Sequence, residues 1–161
     1  MIELLASLAQ QLIASLSYLG VFLAGLIGTS TIFLPVPAFL ILMSAAALGL
    51  NPLLVAFLSA AGQSLGELTG YAVGVGGKKV LEKKYSKQLR VVSKWFRKNG
   101  FITIFVFAAT PLPDDLVGVL AGFGRYELKK FLLASFLGKI CLSLLLAFAG
   151  AQLPGIPRYM F

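Results

Sequence analysis

The sequence contains no histidine, one cysteine and one tryptophan. Histidine bases and histidine metal sites are therefore absent, and Cys141 has no partner for an internal disulfide. Acid is scarce too, with six Asp and Glu against fourteen Lys and Arg. Charge of either sign makes up 12% of the chain, where a soluble domain carries about 25%. Apolar residues make up 58% of the 161 positions. A soluble core cannot absorb that much apolar surface, so the excess must face lipid. Several runs exceed the roughly 18 apolar residues of a spanning helix. The expected class is an all-α membrane protein, with residues 1–161 as a single membrane domain.

The chain does not open like a secretory signal peptide, because Glu3 stands where a basic n-region would be. Residues 2–17 read as a short interfacial amphipathic helix, with Leu5, Leu8, Leu12 and Leu16 on one face. Residues 18–50 are apolar but broken at Pro35 and Pro37, giving either a re-entrant hairpin or two short tilted spans. Residues 52–77 read as a spanning helix that Asn51-Pro52 starts and Gly76-Gly77 ends. Nine basic residues then crowd into 78–98, a basic amphipathic helix expected to lie flat on the membrane with Trp95 as anchor. In a soluble protein this charge would suggest nucleic acid. Here it marks a cytoplasmic face against anionic headgroups, and no nucleic-acid partner is expected.

Residues 100–124 are apolar but broken at Pro111 and Pro113, and residues 131–150 form a last span. Basic residues flank 100–124 on both sides, at 78–98 and at Arg125, Lys129 and Lys130. A crossing would put these clusters on opposite faces, against the positive-inside tendency. Each arm of about ten residues spans roughly 15 Å of helix, half of a ~30 Å hydrocarbon core. A re-entrant hairpin entered from the cytoplasm satisfies both facts, and its tip must line a cavity or be covered by protein.

A shift of 76 residues places Pro35 on Pro111, Pro37 on Pro113, Ala45 on Ala121, Ser59 on Ser135, Gly62 on Gly138 and Gly74 on Gly150. Each half reads as hairpin then span: repeat 1 over about 18–77, a basic linker over 78–98, repeat 2 over about 100–150. The charge argument gives the halves opposite orientation. An inverted repeat of re-entrant helical hairpin plus transmembrane helix is the architecture of secondary transporters.

Gly62, Gly66, Gly70 and Gly74 recur every four residues and form a groove for close helix approach, with Gly122 and Gly138 as further packing glycines. Beside them runs a polar stripe of Ser59, Gln63, Glu67 and Tyr71, whose repeat counterpart is Ser135, Lys139 and Ser143. An ionisable residue within a span is costly, so Glu67 is a functional candidate. It is either a proton carrier or half of a structural ion pair with Lys139. Asp114 and Asp115 follow the second tip, where one caps the returning arm and the other is free for protons or cations. Arg125 is a positive-inside anchor or a phosphate-headgroup contact.

These residues resemble the DedA family, also called the VTT or SNARE-associated Golgi protein domain, over roughly 18–150. Leu34-Pro35-Val36-Pro37 is similar to its L-P-x-P, Gly66 to Tyr71 to its G-[DE]-x-x-G-Y, and Leu120 to Arg125 to its A-G-x-x-R segment. Pro113-Asp114-Asp115-Leu116 resembles a subgroup's P-x-D-L tip, with Asp115 at the family aspartate. Many bacterial members carry a glutamate where this chain has Phe39, and tip arginines where it has Ala108 and Asp114. The resemblance implies lipid translocation: scrambling, or proton- or sodium-linked recycling of a polyprenyl-phosphate carrier. The expected partners are anionic or phosphate-bearing lipids and protons or sodium, with a homodimer allowed and no cofactor or metal. The expected location is a prokaryotic cell membrane with 78–98 cytoplasmic. An exporter of small solutes, cations or drugs and a non-transporting assembly or stress factor are the other classes. An enzyme is not expected.

Overall fold

The computed structural model describes residues 17–30, 38–110 and 115–152. The segment expected as an amphipathic helix lies outside them except for Ser17, as do Pro35, Pro37, Pro111, Pro113 and Asp114. Among the described residues the chain is helical with no strand. The helices are α1 (Ser17–Ser30), α2 (Ala38–Ala47), α3 (Pro52–Gly66), α4 (Leu68–Ala108), α5 (Asp115–Phe123) and α6 (Leu128–Ala151). Only α6 is by itself both long and apolar enough to cross a membrane.

Local chemistry sets the boundaries. Asn51 is extended, Pro52 fills the first helical position, and the Asn51 side chain accepts from the Leu53 amide at 2.9 Å. The α2–α3 turn closes with Leu50 N–H on Ala45 O at 3.2 Å and Gly49 N–H on Ala46 O at 3.1 Å. Gly49 takes the left-handed conformation that such a cap requires, at φ 95°. The α5–α6 turn repeats this 76 residues on. Tyr126 N–H donates to Ala121 O at 2.9 Å, and Arg125 N–H to Gly122 O at 3.0 Å. There the left-handed residue is Arg125, at φ 49°, a conformation that costs a side-chain-bearing residue roughly 1 kcal/mol.

Two expected boundaries move. Gly76-Gly77 does not end a helix, and 78–98 is not a separate one: α4 runs unbroken from Leu68 to Ala108. A glycine stops a helix by turning left-handed, and neither glycine has positive φ. Otherwise each costs only about 1 kcal/mol in a helix, and the lysines beyond are good helix formers. The break falls instead at Glu67, one residue between α3 and α4. Glu67 keeps helical angles, and its amide still reaches Gln63 O at 3.1 Å.

Bent rather than straight, α4 flanks α5 and the turn after it at two places, around Gly77 and around Phe96. A Cβ on Gly77 would meet the Phe123 ring at 3.0 Å, and one on Gly124 would meet Phe96 Cβ at 3.4 Å. A straight helix would hold Gly77 and Phe96 about 28 Å apart, so α4 turns back between them. Within the basic segment Phe96 is buried; it packs on Tyr126, with ring centroids 6.0 Å apart. Trp95 is exposed and donates through Nε1 to Thr103 Oγ1 at 3.3 Å.

The glycine stripe serves two partners, not one groove. Gly62 and Gly66 lie against α1 backbone at Phe22, Leu26 and Ser30, while Gly74 lies against Val119 and Gly122 of α5. The partner changes because each four-residue step drifts about 40° around the helix, so Gly74 faces another side from Gly62. Gly70 is buried. Gly122 meets Tyr71 and Gly74, Gly138 meets Phe105 and Ala108, and Gly150 meets Met43 of α2. Two apolar clusters form the interior. One joins Val21, Leu42, Ala45, Val55 and Ala147. The other joins Phe96, Ile104, Val117, Ala121, Phe131 and Ala134, with Tyr71 against it.

Candidate functional site

Glu67, at the break between α3 and α4, is 4% exposed. From α6, Lys139 places Nζ 2.9 Å from Glu67 Oε1. Ser135, one turn earlier on α6, donates its hydroxyl to Glu67 Oε2. Lys139 is itself 5% exposed, so this is a buried ion pair with a hydroxyl on the second carboxylate oxygen. The i+4 spacing of Ser135 and Lys139 puts both on the face of α6 that meets Glu67. Gln63, the repeat counterpart of Lys139, donates to Ser59 Oγ at 2.8 Å. Tyr71, one turn beyond Glu67, donates to Tyr126 O at 2.5 Å and ties α4 to the α5–α6 turn.

Three of the segments that border the two proline-containing stretches, the end of α1, the end of α4 and the start of α5, come close to this pair. At the end of α1, Thr29 donates to Gln63 O at 2.8 Å, and Ser30 O accepts from Thr69 at 3.0 Å. The end of α4 lies against Gly138, where a Cβ would sit 2.6 Å from Phe105 O. From the start of α5, Gly118 would bring a Cβ to 3.6 Å from Glu67 O. Asp115 is the first residue of α5, three positions before Gly118; its side chain and all of Asp114 lie outside the described residues. Arg125 stands apart, exposed on the α5–α6 turn.

Thr29, Ser30 and Thr69 were not singled out from sequence. The available signal was the polar run Gly28 to Thr31 inside an apolar segment. Among the described residues, no three His, Cys, Asp or Glu come together as a metal site would require.

Glu67 and Lys139 both fall inside the stretch that the comparisons with known proteins match. The VTT domain matches residues 34–152. Two proteins called alkaline phosphatase-like, from Lactococcus lactis subsp. cremoris and subsp. lactis, are each 32% identical over 162 residues, covering 89% of this chain and 73% of their own length. An uncharacterised protein of Methanocaldococcus jannaschii is 25% identical over 141 residues, covering 86% of this chain and 87% of its own. No solved structure matches significantly. With most of its length inside the matched domain, and with the Glu67 motif and both turns within it, the chain belongs to the VTT domain, or DedA, family of membrane-associated proteins.

Proposed function

We propose that the protein flips or scrambles a lipid, with a lipid phosphate or polyprenyl-phosphate carrier as its substrate class. The observation that carries this reading is the buried Glu67–Lys139 pair, close to the end of α1, the end of α4 and the start of α5. A charge held among apolar helices costs at least about 2.5 kcal/mol by insertion scales, and such residues mark transport pathways. Protons or sodium are the proposed coupling ions, and Glu67 and Asp115 the groups they act through.

We further propose one membrane domain of two inverted repeats. The packing supports it, because contacts exchange between halves under the 76-residue shift. Gly74 meets Val119 and Gly150 meets Met43, so each span packs on the returning arm of the other hairpin. Ala45 and Val55 of one cluster map onto Ala121 and Phe131 of the other. The first arms depart from this rule: Gly62 meets Phe22 and Leu26, whereas Gly138 meets Phe105 and Ala108. In this topology 78–98 is cytoplasmic in a cell membrane. Cysteines placed at Lys87 and Lys129, in a background lacking Cys141, should label from the same side. Labelling from opposite sides would defeat the second hairpin and the inversion with it.

The test of function is lipid redistribution in liposomes holding the purified protein, with and without a pH gradient. Redistribution is the expected result. Uptake of a small solute without it would favour an exporter, and neither would favour an assembly factor. The lactococcal relatives' name suggests phosphate-ester chemistry. We assign this chain phosphate-lipid handling without hydrolysis, since it has no histidine and its acids are too few and scattered for a typical metal site. By the resemblance, Asp115 is the acid at the second tip and Asp114 the cap. Asp115→Asn should abolish redistribution with little change in thermal midpoint, because the cap stays with Asp114 and asparagine matches aspartate in size. Asp114→Asn should be mild in both measurements. Wild-type rates for Asp115→Asn across pH would remove that carboxylate from the mechanism.

A further inference from the structure

The two Schellman turns have the same backbone and different residues. In the first, the amides of Leu48, Gly49 and Leu50 bond to Ser44, Ala46 and Ala45. In the second, those of Gly124, Arg125 and Tyr126 bond to Leu120, Gly122 and Ala121, all 76 positions later. Glycine suits the left-handed position without strain, and the first turn uses it. The second holds Arg125 there at φ 49°. The turn's hydrogen bonds run between backbone groups and do not use that side chain.

Its surroundings indicate what the guanidinium meets. Phe96 packs on Tyr126, and a Cβ on Gly100 would lie 2.6 Å from the Tyr126 ring. These contacts set the Phe96–Gly100 face of α4 on the α5–α6 turn, with Arg97 at the edge of that face and Arg125 and Lys129 at the turn, all three exposed, while Lys94 and Lys98 extend the basic surface on the far side of α4. The local acid is already engaged: Glu127 holds Lys130 at 2.7 Å. That hydrogen bond, and then the carboxylate's charge, raise the Lys130 pKa above its ordinary value. The basic residues are interleaved with exposed Val91 and Trp95. Bases mixed with outward apolar and indole groups match a headgroup boundary better than an aqueous polyanion.

We propose that this surface binds the phosphate of an anionic membrane lipid and that Arg125 reads it. The planar guanidinium fork can donate two parallel hydrogen bonds to phosphate oxygens, while Arg97, Lys129 and the more distant lysines supply less directional attraction. The proposal concerns binding at one membrane face. It stands apart from transport: a protein that moves no lipid in liposomes could still bind lipid here.

The experiment titrates phosphatidic acid into phosphatidylcholine nanodiscs holding the whole chain and follows the thermal midpoint. The wild-type midpoint should rise with phosphatidic acid. In phosphatidylcholine alone, Arg125→Gly should melt about 2–4 °C higher, because the turn is relaxed. It should also need about tenfold more phosphatidic acid for an equal rise. Arg125→Lys, which keeps charge and strain but loses the fork, should fall between the two in lipid response. A full wild-type response from Arg125→Gly would overturn the assignment and leave the surface to the lysines. So would an Arg125→Gly protein no more stable than wild type in phosphatidylcholine, since the strain argument would be gone. A wild-type protein indifferent to phosphatidic acid but binding an acidic peptide would replace the lipid with a protein partner.

Discussion

The Glu67→Gln variant is expected to lose most of its folded yield, and Lys139→Met the same, while the double variant recovers it. Each single change leaves the other charge buried: Lys139 at 5% exposure or Glu67 at 4%. Breaking a buried pair from one side costs about 3–5 kcal/mol, whereas replacing both members by neutral groups of similar volume is often neutral or stabilising. Ser135 donates to Glu67 Oε2 and can donate equally to a glutamine carbonyl, so the hydroxyl is not orphaned in the double variant. The measurements are yield and thermal midpoint in one lipid for the four proteins. A second outcome would carry a different meaning. If Glu67→Gln folds like wild type but redistributes no lipid, the pair is not what holds the helices together, and the carboxylate is a coupling group. Two singles and a double all equal to wild type in both respects would leave the contact with no role.

How far sequence alone reaches differs between site and scaffold for a physical reason. Ser135 and Lys139 share one face of α6, as Ser59, Gln63 and Glu67 share one face of their own helix, because i+4 periodicity is a property of any helix, so the polar stripes were legible without knowing the packing. The starts of α3 and α6 were legible in part, because Asn51-Pro52 carries its own cap chemistry while Glu127-Leu128 does not. Gly76-Gly77 misled because glycine permits a left-handed stop without requiring one. The actual break, at Glu67, has no proline to announce it. The shared turn geometry was hidden for the opposite reason: Gly49 advertises a left-handed residue and Arg125 does not, so only the hydrogen bonds reveal that they are counterparts. The return of α4 onto α5 was not legible at all, since it depends on Gly77, Phe96 and Gly100 finding Phe123, Gly124 and Tyr126 across the fold.

The second large expected effect lies where α4 crosses α5 at Gly74 and α6 crosses α2 at Gly150. In Gly74→Ala the added methyl would overlap the Val119 carbonyl oxygen and lie 3.0 Å from Gly122 Cα. In Gly150→Ala it would overlap the Met43 carbonyl oxygen and lie 2.9 Å from Met43 Cα. Both obstacles are helix backbone, which cannot rotate aside as a side chain can, so the helices must separate. Overpacking of this kind costs about 1–3 kcal/mol, occasionally more, and each variant should lose thermal stability by a similar amount. Gly76→Ala supplies the control two residues from the first crossing. Its methyl would meet nothing within 4 Å, and alanine in a helix interior gains up to about 1 kcal/mol over glycine, so that variant should melt higher. The opposite signs at 74 and 76 separate a packing requirement from a general intolerance of substitution in α4. Matching losses at 74 and 150 would follow from the exchange of Gly74–Val119 for Gly150–Met43 under the 76-residue shift. A loss at one position with none at the other would mean that the two crossings are not equivalent, and the repeat would then be a likeness of sequence that the packing does not use.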